Sequence, residues 1–309
     1  MAKKSVLVSG ATGYIGSNLV AHLRIQGHNV YALTGAHSNP HDIAFLKATG
    51  ASIVSNHKLV EGINYLPRDV DVVVHLIGSV EPKYGESSQK LHVEPTEDII
   101  RNCFKNDIKN IILISSLNAS LKGSSQYSRS KWQQEELIKN SGLNFLILRP
   151  SLVIGRAKGI RDSKLVMKYL NYIKSLPVIP VINSAQNLVQ PIYIEDLVKA
   201  IELAIDSLTG NLKLDKSILE LGGGQVLSFK DLVIKLMNLQ NCRKPFFNLD
   251  KGKALFFVSI LNQLSLNSNN IYDQIQLATE NNICQVNDLV DTFKLTPQDL
   301  DFAVQTYRM

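Results

Sequence analysis

Residues 9–16 read Ser-Gly-Ala-Thr-Gly-Tyr-Ile-Gly and follow directly on the apolar run Val6-Leu7-Val8. Gly10, Gly13 and Gly16 stand three apart, between that run and a segment in which Ile15, Leu19 and Leu23 recur every fourth position. The first pattern predicts a short buried strand, the second a helix, and the glycines fall at the turn joining them. Gly27 closes the helix as a cap residue, and His28-Asn29 leads into a second apolar run, Val30 to Leu33. Strand, tight turn, helix and returning strand form one βαβ unit, which commits the chain to a parallel sheet. Each glycine has a physical task there. Gly10 makes the sharp turn, Gly13 lets a pyrophosphate approach the backbone, and Gly16 lets the helix pack closely on the strand. The unpaired amides and positive end of such a helix suit phosphate. The pattern predicts a dinucleotide along Gly10, Thr12, Gly13, Tyr14, Ile15 and Gly16, against the alternative of a purely structural turn.

The alternation continues. A helix is expected near Asp42–Thr49, closed by Gly50, and a third strand around Ile53-Val54. Residues 71–76 (Asp-Val-Val-Val-His-Leu) are nearly all apolar, as in a parallel strand covered on both faces. Pro95 opens a helix expected to bury Ile99, Ile100, Cys103 and Phe104. The strand Ile111–Ile114 ends in Ser115-Ser116, a helix runs from about Tyr127 to Asn140, and Phe145–Leu148 leads into Arg149-Pro150. The expected fold is α/β, a doubly wound parallel (Rossmann) sheet that binds ligands outside the carboxyl ends of its strands. Beyond Pro150 the rhythm loosens, and Leu176–Ile182 is too broken by proline for an internal strand. The expected division is a dinucleotide-binding domain at 1–155, completed by 187–210. Residues 156–186 and 211–309 then form a smaller, discontinuous, mostly helical C-terminal lobe over the cleft.

A chain of 309 residues with 45% hydrophobic content can bury about three-quarters of its surface. The net charge of +6 is scattered, which argues against a nucleic-acid partner. Cys103, Cys242 and Cys284 suggest neither a disulfide framework nor a zinc site, and the seven histidines lack metal-ligand spacing, so no metal is expected. The apolar run behind Met-Ala-Lys-Lys is too short for a signal peptide, and no stretch reaches the ~20 apolar residues that span a bilayer. A cytoplasmic protein is expected. Residues 254–266, apolar with basic flanks, read as a helix packed over the cleft or as a surface for a membrane face or a protein partner.

Tyr127-Ser-Arg-Ser-Lys131 puts a phenol and an ammonium four residues apart, on one helical face. A free tyrosine has a pKa near 10. A neighbouring ammonium favours the phenolate, and a lowering by ~3 units corresponds to ~4 kcal/mol. Lys131 is also placed to hold a nicotinamide ribose hydroxyl, so the pair would touch cofactor as well. Ser115 or Ser116, at the preceding strand end, can donate a hydrogen bond to a substrate oxygen; Ser116 is the catalytic choice. Together these groups suit proton transfer coupled to hydride transfer.

In these motifs the sequence resembles the short-chain dehydrogenase/reductase superfamily, in its extended or atypical, NAD-dependent epimerase/dehydratase-like branch. The glycine octapeptide, His75-Leu-Ile-Gly78, Ser115-Ser116, the Tyr127/Lys131 pair and Arg149-Pro-Ser-Leu-Val-Ile-Gly155 occur in that family's order. The resemblance implies a catalytic trio of Tyr127, Lys131 and Ser116, and a cofactor path lined by Leu76, Ile77, Gly78, Ser115, Pro150 and Val153. The second half is similar to the group containing the nucleotide-binding accessory subunit of respiratory complex I. Segments 176–180, 190–196, 220–229 and 273–277 carry that likeness.

Three departures qualify the resemblance. Thr34-Gly-Ala-His-Ser38 has neither the acid that grips an NAD ribose nor the arginine that grips an NADP phosphate. With no carboxylate to repel a 2′-phosphate, and with Thr34, His37 and Ser38 as donors, NADP is favoured over NAD. His57 stands where relatives commonly carry an aspartate, and Arg149-Pro150 is not followed by the asparagine pattern of nucleotide-sugar enzymes. The first expectation is an NAD(P)-binding oxidoreductase acting on a small carbonyl or alcohol, quinone- and isoprenoid-related compounds included. The alternatives are a non-catalytic NAD(P)H-binding accessory, assembly or redox-sensing protein, and a nucleotide-sugar epimerase or dehydratase.

Overall fold

The computed structural model describes residues 2–35, 38–55, 66–67, 69–78, 89–210, 214, 216–256 and 269–308. His37, His57 and most of the 254–266 stretch lie outside the described residues.

Seven parallel strands form the main sheet: β1 (Ser5–Ser9), β2 (Asn29–Thr34), β3 (Ser52–Ser55), β4 (Val72–His75), β5 (Asn110–Ile114), β6 (Asn144–Pro150) and β7 (Ser217–Leu221). Their order is β3-β2-β1-β4-β5-β6-β7, so the winding reverses between β1 and β4. A doubly wound sheet takes its ligand beyond the carboxyl ends of the strands at such a reversal, which here are Ser9 of β1 and His75 of β4.

Side chains alternate along each strand, and both faces are covered. Val6, Val8, Val72, Val74, Ile112 and Leu146 face one core with Leu19 and Leu23 of α1 (Tyr14–Ile25). Leu7, Val73, Ile111, Leu113 and Ile147 face the other, with Ile99 and Cys103 of α3 (Glu94–Lys105) and Ile138 of α4 (Gln126–Lys139). α2 (Pro40–Ala48) follows β2, its N-terminus capped by the Asn39 side chain. Phe104 departs from expectation: it points outward and is 57% exposed, because it sits one position past the buried stripe of α3.

The helix Ile194–Thr209, α6, lies on the first core through Leu197, Val198, Ile201 and Ile205. A separate cluster holds the second lobe together. It joins α5 (Lys164–Ser175), α7 (Phe229–Leu239) and the C-terminal Leu300, Val304 and Tyr307. Short pairs join Val153–Ile154 to Ile192–Tyr193, Leu188–Val189 to Leu227–Ser228, and Ile179–Ile182 to Phe246–Leu249. Pro180 is accommodated because its strand has one partner. One boundary shifts from the sequence reading: Ser217–Leu221, expected in the smaller lobe, pairs in register with β6 and forms the sheet's edge. Among the described residues, no helix is long and apolar enough to cross a membrane.

Candidate active site

The glycine loop is pressed from two sides. Gly10 holds φ at +73°, and a Cβ there would stand 3.0 Å from the Leu76 carbonyl carbon. A Cβ on Gly16 would lie 2.2 Å from the Gly10 carbonyl oxygen, so only glycine lets α1 begin where it does. Gly13 caps α1 in an extended conformation with no side-chain cap, and the first turn carries no acid. The helix start thus keeps its donors and its positive end for an anion, which fits a pyrophosphate. Thr12 and Ile15 are half-buried beside it. The Tyr14 side chain is otherwise engaged: its hydroxyl donates to the Gly155 oxygen (2.6 Å), and the Gly155 amide donates to Tyr307 Oη (3.0 Å). Burial first, then Tyr307, pushes the Tyr14 phenol well above its usual pKa. Thr34 is buried with its hydroxyl on the Val54 oxygen (3.5 Å), and Ser38 closes a turn onto Gly35 (3.1 Å).

Beyond the winding reversal lies a buried polar chain. The Thr96 hydroxyl donates to the His92 oxygen (2.6 Å), so it accepts from Gln134 Nε2 (2.8 Å) and from His75 Nε2 (3.0 Å). The other nitrogen of His75 accepts from Ser9 Oγ (2.7 Å), itself an acceptor for the Leu76 amide (3.3 Å). These partners assign a neutral imidazole with its proton on Nε2. Burial, helped by Lys131, holds the His75 pKa down at about 3. His75 ties the glycine loop to the helices.

Gln134 also donates to the His92 oxygen (2.9 Å), while its Oε1 accepts from Lys131 Nζ (2.7 Å). Lys131 Nζ donates a second bond to the Ile114 oxygen (2.8 Å). The Lys131 side chain is buried, and burial, opposed by the charge of Glu135, pulls its pKa down to about 7. A Cβ on Gly78 would stand 3.6 Å from that nitrogen and 2.8 Å from His92 Cδ2. Gly78 therefore lets the chain after β4 pack directly on the His92 ring, close to the ammonium.

Tyr127 is the second residue of α4, whose Ser125 cap accepts from the Ser128 amide (3.0 Å). The His92 ring stands edge-on to the phenol at 5.6 Å between centroids, held by Ser130 Oγ (2.6 Å). The Ser116 side chain lies close enough to the Tyr127 phenol to favour its ionised form. Burial raises the phenol's pKa, and the nearby Ser116 opposes it by less. The expected ammonium-driven lowering is reversed here: desolvation dominates, and the ammonium is turned to Ile114 and Gln134.

The two serines differ in what their hydroxyls meet. Ser115 Oγ donates to Glu135 Oε1 (2.6 Å) inside the protein, leaving Ser116 toward the phenol. Glu135 is fully buried and takes Arg149 on both oxygens, from Nε at 2.8 Å and Nη2 at 2.6 Å. Pro150 is buried at the end of β6, and half-buried Val153 pairs with Ile192. Sequence reasoning missed Thr96, His92, Gln134 and Glu135. The last two were open to discovery, standing three and four residues after Lys131 on one helical face.

Residues 6–214 match the family described as NAD dependent epimerase/dehydratase family. The chain is 27% identical over 199 residues to the mitochondrial NADH dehydrogenase (ubiquinone) 1 alpha subcomplex subunit 9 of Mus musculus, covering 63% of this chain and 51% of that protein. Against the Arabidopsis thaliana subunit of the same name it is 27% identical over 244 residues, covering 73% and 55%. The chain thus spans about half the length of these curated relatives. A solved structure described as MoeE5 in complex with UDP-glucose and NAD superimposes with a TM-score of 0.71 at 18% identity, covering 98% of this chain and 96% of that one. That likeness shows the fold.

Proposed function

Because the chain belongs to the NAD dependent epimerase/dehydratase family, we propose that it is an NAD(P)-dependent oxidoreductase that reduces a small carbonyl compound to the alcohol. The observation that carries this reading is the placement of Ser116 just past β5 beside Tyr127 on the first turn of α4, one turn before buried Lys131. When bound, the nicotinamide supplies the hydride. A raised phenol pKa keeps Tyr127 protonated at neutral pH, which suits it as general acid. As the hydride pair reaches the carbonyl carbon, the C=O π pair takes the Tyr127 proton. Ser116 donates a second hydrogen bond to the same oxygen, then turns to the phenolate left behind. Two of the Lys131 N–H groups are engaged, and the third is assigned to a ribose hydroxyl.

The cofactor assigned is NADP in preference to NAD, since Thr34-Gly-Ala-His-Ser38 carries no carboxylate. Residues 1–155 and 187–210, now with β7, are assigned to the dinucleotide and the rest to the substrate. Stopped-flow consumption of NADPH and NADH against ketones, aldehydes and quinones tests the reading. Tyr127→Phe should keep cofactor affinity and lose ~10²–10⁴-fold in rate. Undiminished turnover in that variant refutes the assignment, and clearly tighter NADH reverses the cofactor preference. A second reading, an NAD(P)H-binding accessory or assembly protein, is supported by the named complex subunits among the relatives. Binding of cofactor without turnover across the panel shifts the weight to it.

A further inference from the structure

One short stretch of the C-terminal chain, 273–282, holds the two segments that carry Ser116 and Tyr127. Asp273, buried in the helix Asn269–Leu277, accepts from the Gln126 amide at Oδ1 (2.9 Å) and from the Tyr127 amide at Oδ2 (3.2 Å). With the Ser125 side chain on the Ser128 amide (3.0 Å), the first three amides of α4 are all satisfied. α1, by contrast, has no side-chain cap. Seven residues on, Glu280 accepts from the Ser124 hydroxyl at Oε1 and from Asn118 Nδ2 at Oε2 (2.9 Å). The Asn118 amide in turn donates to Ser116 Oγ (3.4 Å). Asn282 completes the hold, donating to Asn118 Oδ1 and accepting from the Leu152 amide (2.7 Å).

We propose that Asp273 and Glu280 are positioning residues that set the Ser116–Tyr127 alignment from the far lobe, a role that rests on the oxidoreductase reading of that pair. A capping serine one residue before the helix already satisfies one donor. A carboxylate from 146 residues away, spread over the next two amides, fixes instead where the helix begins relative to the other lobe. Tyr127 rides on that first turn, and Ser116 on the loop that Glu280 grips. Displacement of either by about 1 Å can cost ~10²-fold in rate, because proton donor and second hydrogen bond must converge on one oxygen.

The test uses the full chain with ¹³Cζ-labelled tyrosine, the Tyr127 resonance being assigned by its loss in Tyr127→Phe. Asp273→Ala and Asp273→Asn should move that resonance in the direction produced by Ser116→Ala, the asparagine variant less because it keeps one acceptor. Glu280→Gln should do the same. Where turnover is measured, Asp273→Ala should lower kcat by at least about tenfold with NADPH affinity within twofold. A Tyr127 resonance unmoved in the folded Asp273→Asn and Glu280→Gln variants overturns the proposal, whatever happens to Tm. A parent chain that binds neither NADPH nor NADH refutes the oxidoreductase reading alone, and the resonance still decides the positioning role.

Discussion

Replacing Arg149 by methionine strips a fully buried carboxylate of its ion-pair partner. Glu135 has no exposure, and it is held by Arg149 Nε (2.8 Å), Arg149 Nη2 (2.6 Å) and Ser115 Oγ (2.6 Å). Without the guanidinium, one hydroxyl and the more distant, half-titrated Lys131 remain to compensate a full charge, and breaking such a buried pair costs about 3–5 kcal/mol. The reverse deletion, Glu135→Gln, should cost less, about 1–3 kcal/mol. Glutamine keeps an acceptor for Ser115, and Arg149, with 19% of its side chain exposed, can turn its charge to water. Replacing both partners by apolar residues should recover most of the Arg149→Met loss, because no charge is then left buried. Urea unfolding of the four proteins by circular dichroism at pH 7 and 25 °C gives the three losses directly. The reasoning fails if Arg149→Met costs under about 1 kcal/mol, or if Glu135→Gln proves the worse of the two.

Lys131, with a pKa near 7, should take up a proton when a ribose hydroxyl and a pyrophosphate favour its charged form, so NAD(P)H should bind more tightly below pH 7 and lose affinity as pH rises through it. Calorimetry in two buffers of different ionisation enthalpy should show that proton uptake, and Lys131→Met should abolish it. Gly16→Ala should abolish dinucleotide binding and destabilise the fold by about 1–3 kcal/mol, since its Cβ would fall 2.2 Å from a backbone oxygen; unchanged NADPH quenching in that variant would remove the helix–loop contact from the account.

What could be read from the sequence divides by the range of the physics involved. Gly10 and Gly16 were legible because a turn and a helix packed on its own strand are local geometry, written within eight residues. Tyr127 and Lys131 were legible as neighbours because helical spacing is local too, yet their electrostatics were not. Spacing alone promised an ammonium lowering the phenol's pKa, whereas burial, a property of the whole fold, raises it and drains the charge from Lys131 instead. The sidedness of Ser115 and Ser116 hung on Glu135, twenty residues further on. A strand ending near Gly222 could be read from the sequence, but its place in the main sheet could not, because the pairing of β7 with β6 spans some seventy residues. The same reasoning bears on the clamp. Asp273 looks like any helical acid in the sequence, and only the returned chain puts its two oxygens on the amides of residues 126 and 127. Recognition of the dinucleotide is thus written locally, while the alignment of the acid depends on long-range contacts. A variant of the second lobe should therefore be able to spare cofactor binding and still lose chemistry.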